Sequence, residues 1–263
     1  DLHLSRRRQR QMCIRDRYDD VLKHGNLSLA LRRLAARCGS CRYEADPYNT
    51  FDFIMDMSER YGLRSAFYFL SSSTSMGGGY LLSDPWIRSL MVRIHTRGHE
   101  IGLHGSYHSY LDSKQTQREF LHLREVCEEL GIVQDQWGGR QHYLRWRTPV
   151  TWQNLEEAGL DYDTTLAYAD HVGFRCGVCF EYPVFNLVTR ERLRLRERPL
   201  VAMDGTLMQY MQLKPDSVVS RIQRLADICK RFKGCFTLLW HNSMLATHSQ
   251  KRLYEELVRE IVR

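Results

Sequence analysis

No run of apolar residues in this sequence approaches the roughly 18–20 residues that a helix needs to cross a bilayer, so we expect no membrane span. The sequence also lacks the pattern of a signal peptide, which leads us to expect a cytoplasmic protein. Three consecutive glycines at 77–79 are followed by no Lys-Ser or Lys-Thr pair, and they predict a flexible loop rather than a phosphate-binding loop. With 43% hydrophobic and 26% charged residues in a chain of 263, the composition is that of an ordinary globular protein.

A broad basic surface is also missing. Residues 1–17 hold six Arg and two Asp, a net charge of +4, whereas the rest of the chain holds 32 basic and 29 acidic side chains, a net charge of +3. The sequence contains no stripe of basic residues interleaved with exposed aromatics, so we expect no nucleic-acid partner. The basic end itself is expected to be solvated.

We expect the basic end to differ in origin from the rest of the chain. The string MCIRDR at 12–17 resembles a translated sequencing-adapter remnant of the kind found at the edges of assembled genes. We therefore expect residues 1–17 to be a non-native or disordered tail and residues 18–263 to form one domain, with the protein's own start missing.

The eight cysteines include two Cys-x-x-Cys pairs, Cys38/Cys41 and Cys176/Cys179. Four thiolates with this spacing could hold a structural zinc ion. Reduced thiols and local disulfides are the alternatives, and the sequence leaves all three open. Three further cysteines lie in apolar contexts and are predicted to be core residues: Cys127, Cys229 and Cys235.

Strand-like apolar runs alternate with amphipathic helical segments along the chain. The predicted strands are 64–70, 100–103, 140–146, 199–203 and 234–240, and the predicted helices are 46–61, 83–97, 113–130, 151–158, 215–232 and 249–262. Repeated β–α units with helices long enough for crossovers imply a mostly parallel sheet. We predict an α/β fold, either a barrel or a doubly wound sheet.

Two histidines, His104 and His108, come after the predicted strand 100–103 at a spacing of four residues. That spacing brings two side chains to one side of a helical turn, and neutral imidazole is a common ligand of zinc. A pair of histidines alone is weak evidence, and a surface or structural role is the alternative.

Other polar residues occupy equivalent positions. Arg147 comes after one predicted strand and His241 ends another. In a barrel the carboxyl ends of the strands gather the catalytic groups. A two-histidine metal site also needs a third ligand, usually a carboxylate, and Asp19 and Asp20 supply carboxylates before the first helical segment.

The order of these motifs resembles that of the NodB-homology polysaccharide deacetylases, carbohydrate esterase family 4. The resemblance rests on five segments and covers about residues 18–263: DPYNTFDFIMDMSERYGLRSAFYFL (46–70), GHEIGLHGSY (98–107), GGRQHYLRW (138–146), YDTTLAYADHVGFRCG (162–177) and LLWHN (238–242). It implies a distorted (β/α) barrel, a divalent metal cofactor with zinc as the expected ion, and a polysaccharide or amino-sugar substrate.

The resemblance also implies roles for single residues. His104 and His108 match the metal-binding histidines. The first motif of this branch resembles His-Asp-x-Asp, and the register that fits the downstream residues best makes Asp19 a metal ligand and puts Arg17 where the general base belongs. The rival register makes Asp19 the base and Asp20 the ligand.

The same resemblance implies the remaining site residues. Arg147 in Arg-Thr-Pro matches the Arg that steers the base, with Arg145 as the other candidate. His241 matches the acid that protonates the leaving nitrogen, oriented by Asp170 or Asp163. The alternatives are a structural His241, surface ion pairs for the two arginines, and a turn-capping Asp163.

We therefore expect a metal-dependent deacetylase that hydrolyses N-acetyl groups, with O-acetyl groups as an alternative. Its activity in this chain is expected to be low or absent if Arg17 stands in for the base. A non-catalytic glycan-binding protein of the same fold and a metal-dependent amidohydrolase acting on a small C–N substrate are the other hypotheses.

Overall fold

The computed structural model describes residues 9–13, 46–72 and 80–263. The helices are α1 (Phe51–Arg60), α2 (Pro85–Thr96), α3 (Ser113–Glu129), α4 (Val150–Ala158), α5 (Pro215–Arg231) and α6 (His248–Val262). The strands are β1 (Gln9–Cys13), β2 (Arg64–Leu70), β3 (Glu100–Gly105), β4 (Gly138–Gln141), β5 (Tyr162–Asp163), β6 (Tyr182–Asn186), β7 (Glu191–Glu197), β8 (Ala202–Met203) and β9 (Leu238–Leu239).

The described strands form one sheet in the order β6-β7-β5-β4-β3-β2-β1-β9-β8. Among them only β6 and β7 pair antiparallel, and every other neighbouring pair is parallel. The segment between β7 and β8 reaches across the curved sheet, because Leu200 N–H donates to Leu166 and Val201 N–H donates to Thr237. The predicted α/β class with a mostly parallel sheet is confirmed.

Local sequence signals explain where the helices begin and end. The Asp84 side chain accepts a hydrogen bond from Trp86 N–H, and Pro85 occupies the first turn of α2, where its missing N–H costs nothing. Thr247 and Gln250 form a capping box at the start of α6. Gly159 ends α4 with φ 95°, a left-handed conformation that favours glycine.

Two tyrosines fill the interior of the barrel. Tyr68 on β2 and Tyr162 on β5 are both buried, and their hydroxyl groups lie 3.1 Å apart. Their rings lie against Gly102 and Gly138 on the strands between them, where a Cβ atom would overlap the rings. Burial raises the pKa of Tyr162 to about 12, and it raises that of Tyr68 as well, so both hydroxyls stay protonated near neutral pH.

The structure differs from the predicted elements in several places. The predicted strands 199–203 and 234–240 shorten to Ala202–Met203 and Leu238–Leu239, and the predicted helix 46–61 begins at Phe51. The predicted strand 140–146 ends as β4 at Gln141, because Tyr143 and Leu144 adopt left-handed backbone conformations with φ 57° and 54°. The β6–β7 hairpin is absent from the predicted elements, although apolar and charged residues alternate along β7. That alternation marks a strand with one buried face, which Leu193 and Leu195 provide.

Strand β1 lies within residues 1–17, the segment expected to be a tail, and it pairs with β2 and β9 in the middle of the sheet. The division into a tail at 1–17 and a domain at 18–263 stays a prediction. Within the described ranges, no helix combines the length and the apolar character that crossing a membrane requires.

The second Cys-x-x-Cys pair is reduced. Cys176 and Cys179 are free thiols, and Cys235 N–H donates to the Cys179 carbonyl at 2.7 Å. Burial raises the pKa of Cys176 to about 11, which keeps this thiol protonated near neutral pH. The first pair, Cys38/Cys41, lies outside the described residues, so the four-thiolate zinc site stays a prediction.

Candidate functional site

Polar side chains collect at the carboxyl ends of the strands. Since parallel neighbours end at the same edge of a sheet, these residues share one face of the barrel. They are His104, His142, Asp163, Glu197, Asp204 and His241.

His104 lies near the end of β3 and is 5% exposed. Its Nδ1 lies 3.0 Å from the Arg140 carbonyl oxygen, which can only accept, so Nδ1 carries the proton and Nε2 holds a lone pair. A histidine that donates one ring N–H to a carbonyl and presents its other nitrogen is the usual arrangement of a metal ligand. The Nε2 atom lies 3.1 Å from Nδ1 of His142, which comes directly after β4.

The loop after β3 is held by buried hydrogen bonds. Ser106 N–H donates to the Glu119 carboxylate on α3 at 3.0 Å, and the Ser109 hydroxyl donates to the Gln141 side chain at 2.9 Å. Gly105 is required between them, because a Cβ atom there would overlap Gln141 and Ser109. The loop is therefore built to fix the backbone next to His104.

The side chain of His108 lies outside this buried region. It is exposed, and its ring packs edge-on against Tyr107 with the centroids 4.9 Å apart. The two histidines predicted to bind one ion thus occupy different environments, one buried and one at the surface.

The two candidate arginines differ in their surroundings. The Arg145 guanidinium donates to the Tyr107 carbonyl at 2.6 Å and to the Tyr110 hydroxyl at 2.7 Å, and it lies over both rings. The Arg147 side chain is exposed. Its role in steering a base stays a prediction.

His241 is paired with an aspartate that the sequence motifs did not identify. Its Nδ1 lies 2.7 Å from Oδ1 of Asp204, a fully buried residue that comes directly after β8. The same carboxylate accepts from His241 N–H at 2.5 Å and from Gly205 N–H at 2.6 Å. Nδ1 therefore donates to Asp204, and Nε2 is the nitrogen that can serve a substrate.

The two aspartates expected as partners of His241 make other contacts. Asp170 is exposed and pairs with the neighbouring His171 at 2.8 Å, which lowers the pKa of Asp170. Asp163 accepts from the Thr165 hydroxyl at 2.5 Å. The partner of His241 in the structure is Asp204, because β8 and β9 are parallel neighbours that end side by side. The position of Asp204 just after the predicted strand 199–203 is the signal that could have identified it.

Asp163 faces a second carboxyl group that the sequence motifs also missed. Asp163 and Glu197 are register partners on β5 and β7, and both are fully buried. Burial raises the pKa of Asp163 to about 6, and burial together with the nearby Asp163 charge raises the pKa of Glu197 well above its usual range. Trp152 Nε1–H donates to Glu197 at 3.0 Å. Both carboxyl groups therefore keep their protons to higher pH than an exposed carboxyl group does.

Arg140 is a further residue that the motifs did not single out. Only 1% of its surface is exposed, and its guanidinium donates to the carbonyl and hydroxyl oxygens of Thr164. It thereby ties the end of β4 to the residue after β5.

The structure describes only part of the predicted metal site, and His104 is the described residue whose arrangement fits a metal ligand. His104 presents a lone pair with its other nitrogen anchored. Among the described residues, however, no three His, Cys, Asp or Glu side chains form a ligating group. Asp19, Asp20 and Arg17 lie outside the described residues, so the predicted ligand and base stay predictions.

A cavity of about 320 Å³ opens where β2 ends. Its walls are residues 70–72, residues 80–83 and one face of α3. Glu119, which holds the loop after β3, also lines it, so the cavity is joined to the candidate site by one side chain.

No protein-family model matches the chain, and no curated protein matches it. The structure is similar to that of a Mycobacterium smegmatis protein assigned as a polysaccharide deacetylase, with a TM-score of 0.60 and 16% identity over 96% of this chain and 84% of that one. It is also similar to the Puue allantoinase, with a TM-score of 0.58 and 14% identity over 97% and 84% of the two chains. The predicted distorted (β/α) barrel of the polysaccharide deacetylase type is confirmed.

Proposed function

We propose that this protein is a metal-dependent hydrolase that removes N-acetyl groups from a polysaccharide or amino sugar by cleaving their carbon–nitrogen bonds, with cleavage of O-acetyl ester bonds as the alternative. The observation that carries the proposal is the Asp204–His241 pair at the carboxyl ends of adjacent strands. The shared fold with a polysaccharide deacetylase supports the substrate class.

The hydrogen bonds of His241 define its role. Asp204 accepts from Nδ1–H, which orients the ring and stabilises the imidazolium form. A proton on Nε2 can then pass to the leaving nitrogen. Water adds to the acetyl carbon as it gives a proton to a general base, the role that the first motif is predicted to fill. The C–N bond breaks to release acetate, and the nitrogen leaves as an amine with the proton that His241 supplies.

The metal ion would be held by His104, by a second imidazole and by a carboxylate of the first motif, which lies outside the described residues. When bound, such an ion lowers the pKa of water and polarises the acetyl carbonyl. The protein's own contribution is to hold the imidazole: the Arg140 carbonyl sets its tautomer, and the loop contacts through Glu119 and Arg145 fix the backbone beside it.

The direct test is acetate release from partially acetylated amino-sugar polymers by the purified full chain loaded with zinc. Release that disappears in His241→Ala supports the proposal. A correctly folded, zinc-loaded protein that releases no acetate from any N- or O-acetylated glycan contradicts it. Restoring His-Asp-x-Asp at the first motif tests whether the base is missing: gain of turnover supports a truncated enzyme, and no gain favours the glycan-binding alternative.

The similarity to an allantoinase favours a second candidate, an amidohydrolase acting on a small C–N substrate. The same residues would serve, because His241 would protonate a leaving nitrogen in either reaction. Measuring acetate release in parallel with the hydrolysis of small amides separates the two: ring opening of cyclic amides, or ammonia release from linear primary amides, identifies the second function.

A further inference from the structure

We propose that the second imidazole ligand of the metal ion is His142 and not His108. This inference rests on the proposed metal-dependent function and changes the ligand set that the His-x-x-x-His motif predicts. It assigns a binding role to a buried residue directly after β4 for which the sequence motifs predict no role.

Strand register brings the two rings together. On the adjacent parallel strands β3 and β4, His104 is the register partner of Arg140. Side chains alternate between the two faces of a strand, so the residue two positions beyond Arg140 returns to the face that His104 occupies. His142 is that residue, and its ring centroid lies 5.0 Å from that of His104.

The nitrogen atoms are at a spacing that suits two ligands of one ion. Nε2 of His104 and Nδ1 of His142 are 3.1 Å apart. Two nitrogen ligands at ordinary zinc–nitrogen distances and a tetrahedral angle lie about 3.3 Å apart. Without metal the same spacing suits a hydrogen bond, in which Nδ1–H of His142 donates to the lone pair of His104.

His142 and His108 differ in their exposure to solvent. His104 and His142 are 5% and 3% exposed, whereas His108 is exposed and packs on Tyr107. A water-excluding surrounding strengthens the attraction between a cation and its ligands. A metal ion at His104 therefore meets His142 on the buried side.

The backbone after β4 is held in an unusual conformation to present this ring. Tyr143 and Leu144, the two residues after His142, have φ 57° and 54°, which non-glycine residues rarely adopt. Such strain persists where the surrounding structure enforces it, and it concentrates at functional sites.

Zinc affinity of the full chain tests the assignment directly, by competition with a chromophoric chelator. His142→Ala is expected to weaken zinc binding at least about tenfold. Mutation of residues that only orient the metal ligands already lowers metal affinity about 10–100-fold. His108→Ala is expected to leave zinc affinity unchanged. Unchanged or tighter binding in His142→Ala overturns the assignment, and so does loss of affinity in His108→Ala.

A measurement on the unmodified protein guards against misfolding of the variants. A long-range proton–nitrogen spectrum of the imidazoles is expected to show His142 with its proton on Nδ1 without zinc and on Nε2 with zinc. Persistence of the proton on Nδ1 in the zinc-loaded protein overturns the assignment. Failure of the proposed function leaves a different signature, because zinc would still bind through His142 while no acetate is released.

Discussion

Asp204 shows how one buried carboxylate gives a histidine its chemical role. It accepts two backbone N–H groups and the Nδ1–H of His241, so its charge is balanced at a site that water does not reach. Charge-assisted hydrogen bonds of this kind are about twice as strong as neutral ones. The imidazole is thereby held in one tautomer.

Replacing Asp204 by Asn should lower kcat on the order of 10²-fold or more, because general acid catalysis contributes roughly that much. The alkaline limb of the pH–rate profile should also move to lower pH, since the charge that stabilises the imidazolium is gone. Steady-state acetate release between pH 5 and 10 measures both effects.

The matched control is Asp170→Asn, which removes an exposed carboxylate paired with its neighbour His171. It should leave kcat and the pH–rate profile unchanged. A loss of activity in Asp170→Asn equal to that in Asp204→Asn would show that the assignment of Asp204 is wrong.

Arg145 holds two neighbouring segments together, because its side chain connects the turn after β4 with the loop after β3. Its planar guanidinium makes two hydrogen bonds and stacks on two tyrosines, which a lysine cannot reproduce. We expect Arg145→Lys to lower kcat/KM for acetate release about tenfold or more, since misplaced catalytic groups cost up to about 10²-fold.

Arg147→Lys provides the comparison, because the Arg147 side chain is exposed two residues further on. Equal effects of both substitutions on kcat/KM would mean that Arg145 has no special positioning role. A larger effect of Arg147→Lys would instead support its predicted part in steering the base.

The packing of strands in the barrel interior depends on glycines under the two tyrosine rings. A Cβ atom on Gly138 would overlap the Tyr162 ring, which is buried on all sides. Gly138→Ala should therefore lower the free energy of unfolding by about 1–3 kcal/mol, the usual cost of overpacking. Urea unfolding followed by circular dichroism measures this change.

Gly205→Ala is the control for that substitution, because its Cβ would meet atoms no closer than 3.7 Å. It should change stability by less than Gly138→Ala. Equal stability of the Gly138→Ala variant and the wild type would mean that the interior is not close-packed at this point.

The buried carboxyl pair links the stability of the whole molecule to pH. Because burial raises the pKa of Glu197 in the folded state, folding favours the protonated carboxyl group at pH values above the ordinary carboxyl pKa. The stabilising contribution is complete below the ordinary carboxyl pKa and is lost as pH rises. Stability should fall by up to about 1.4 kcal/mol per pH unit for one such proton.

Glu197→Gln should flatten this dependence, since the amide resembles the protonated acid and needs no proton. Urea unfolding at pH 5, 6, 7 and 8 should show the variant gaining stability relative to the wild type as pH rises. Glu125→Gln, at an exposed position on α3, should leave the pH dependence as it is. A parallel pH dependence in Glu197→Gln and the wild type would contradict the raised pKa of Glu197.

Much of the molecule could be predicted from local patterns. The helix predicted at 113–130 is Ser113–Glu129, and the strand predicted at 64–70 is Arg64–Leu70, because amphipathic periods and capping residues act over a few positions. The β6–β7 hairpin could not be predicted in the same way. Its strand β7 is rich in charged residues, and its few apolar side chains are buried only because the hairpin packs at the end of the sheet.

By itself, the sequence determined the α/β alternation, the glycine and capping positions, and the presence of polar residues where strands end. Only the tertiary structure decided which of these residues meet. The sequence alone does not distinguish Asp163, Asp170 and Asp204 as partners of His241. The parallel pairing of β8 with β9 places Asp204 beside it. His142 likewise meets His104 through the register of β3 and β4, which no local pattern encodes. The physical reason is that helices and turns depend on near neighbours, whereas contacts between strands depend on residues far apart in the chain.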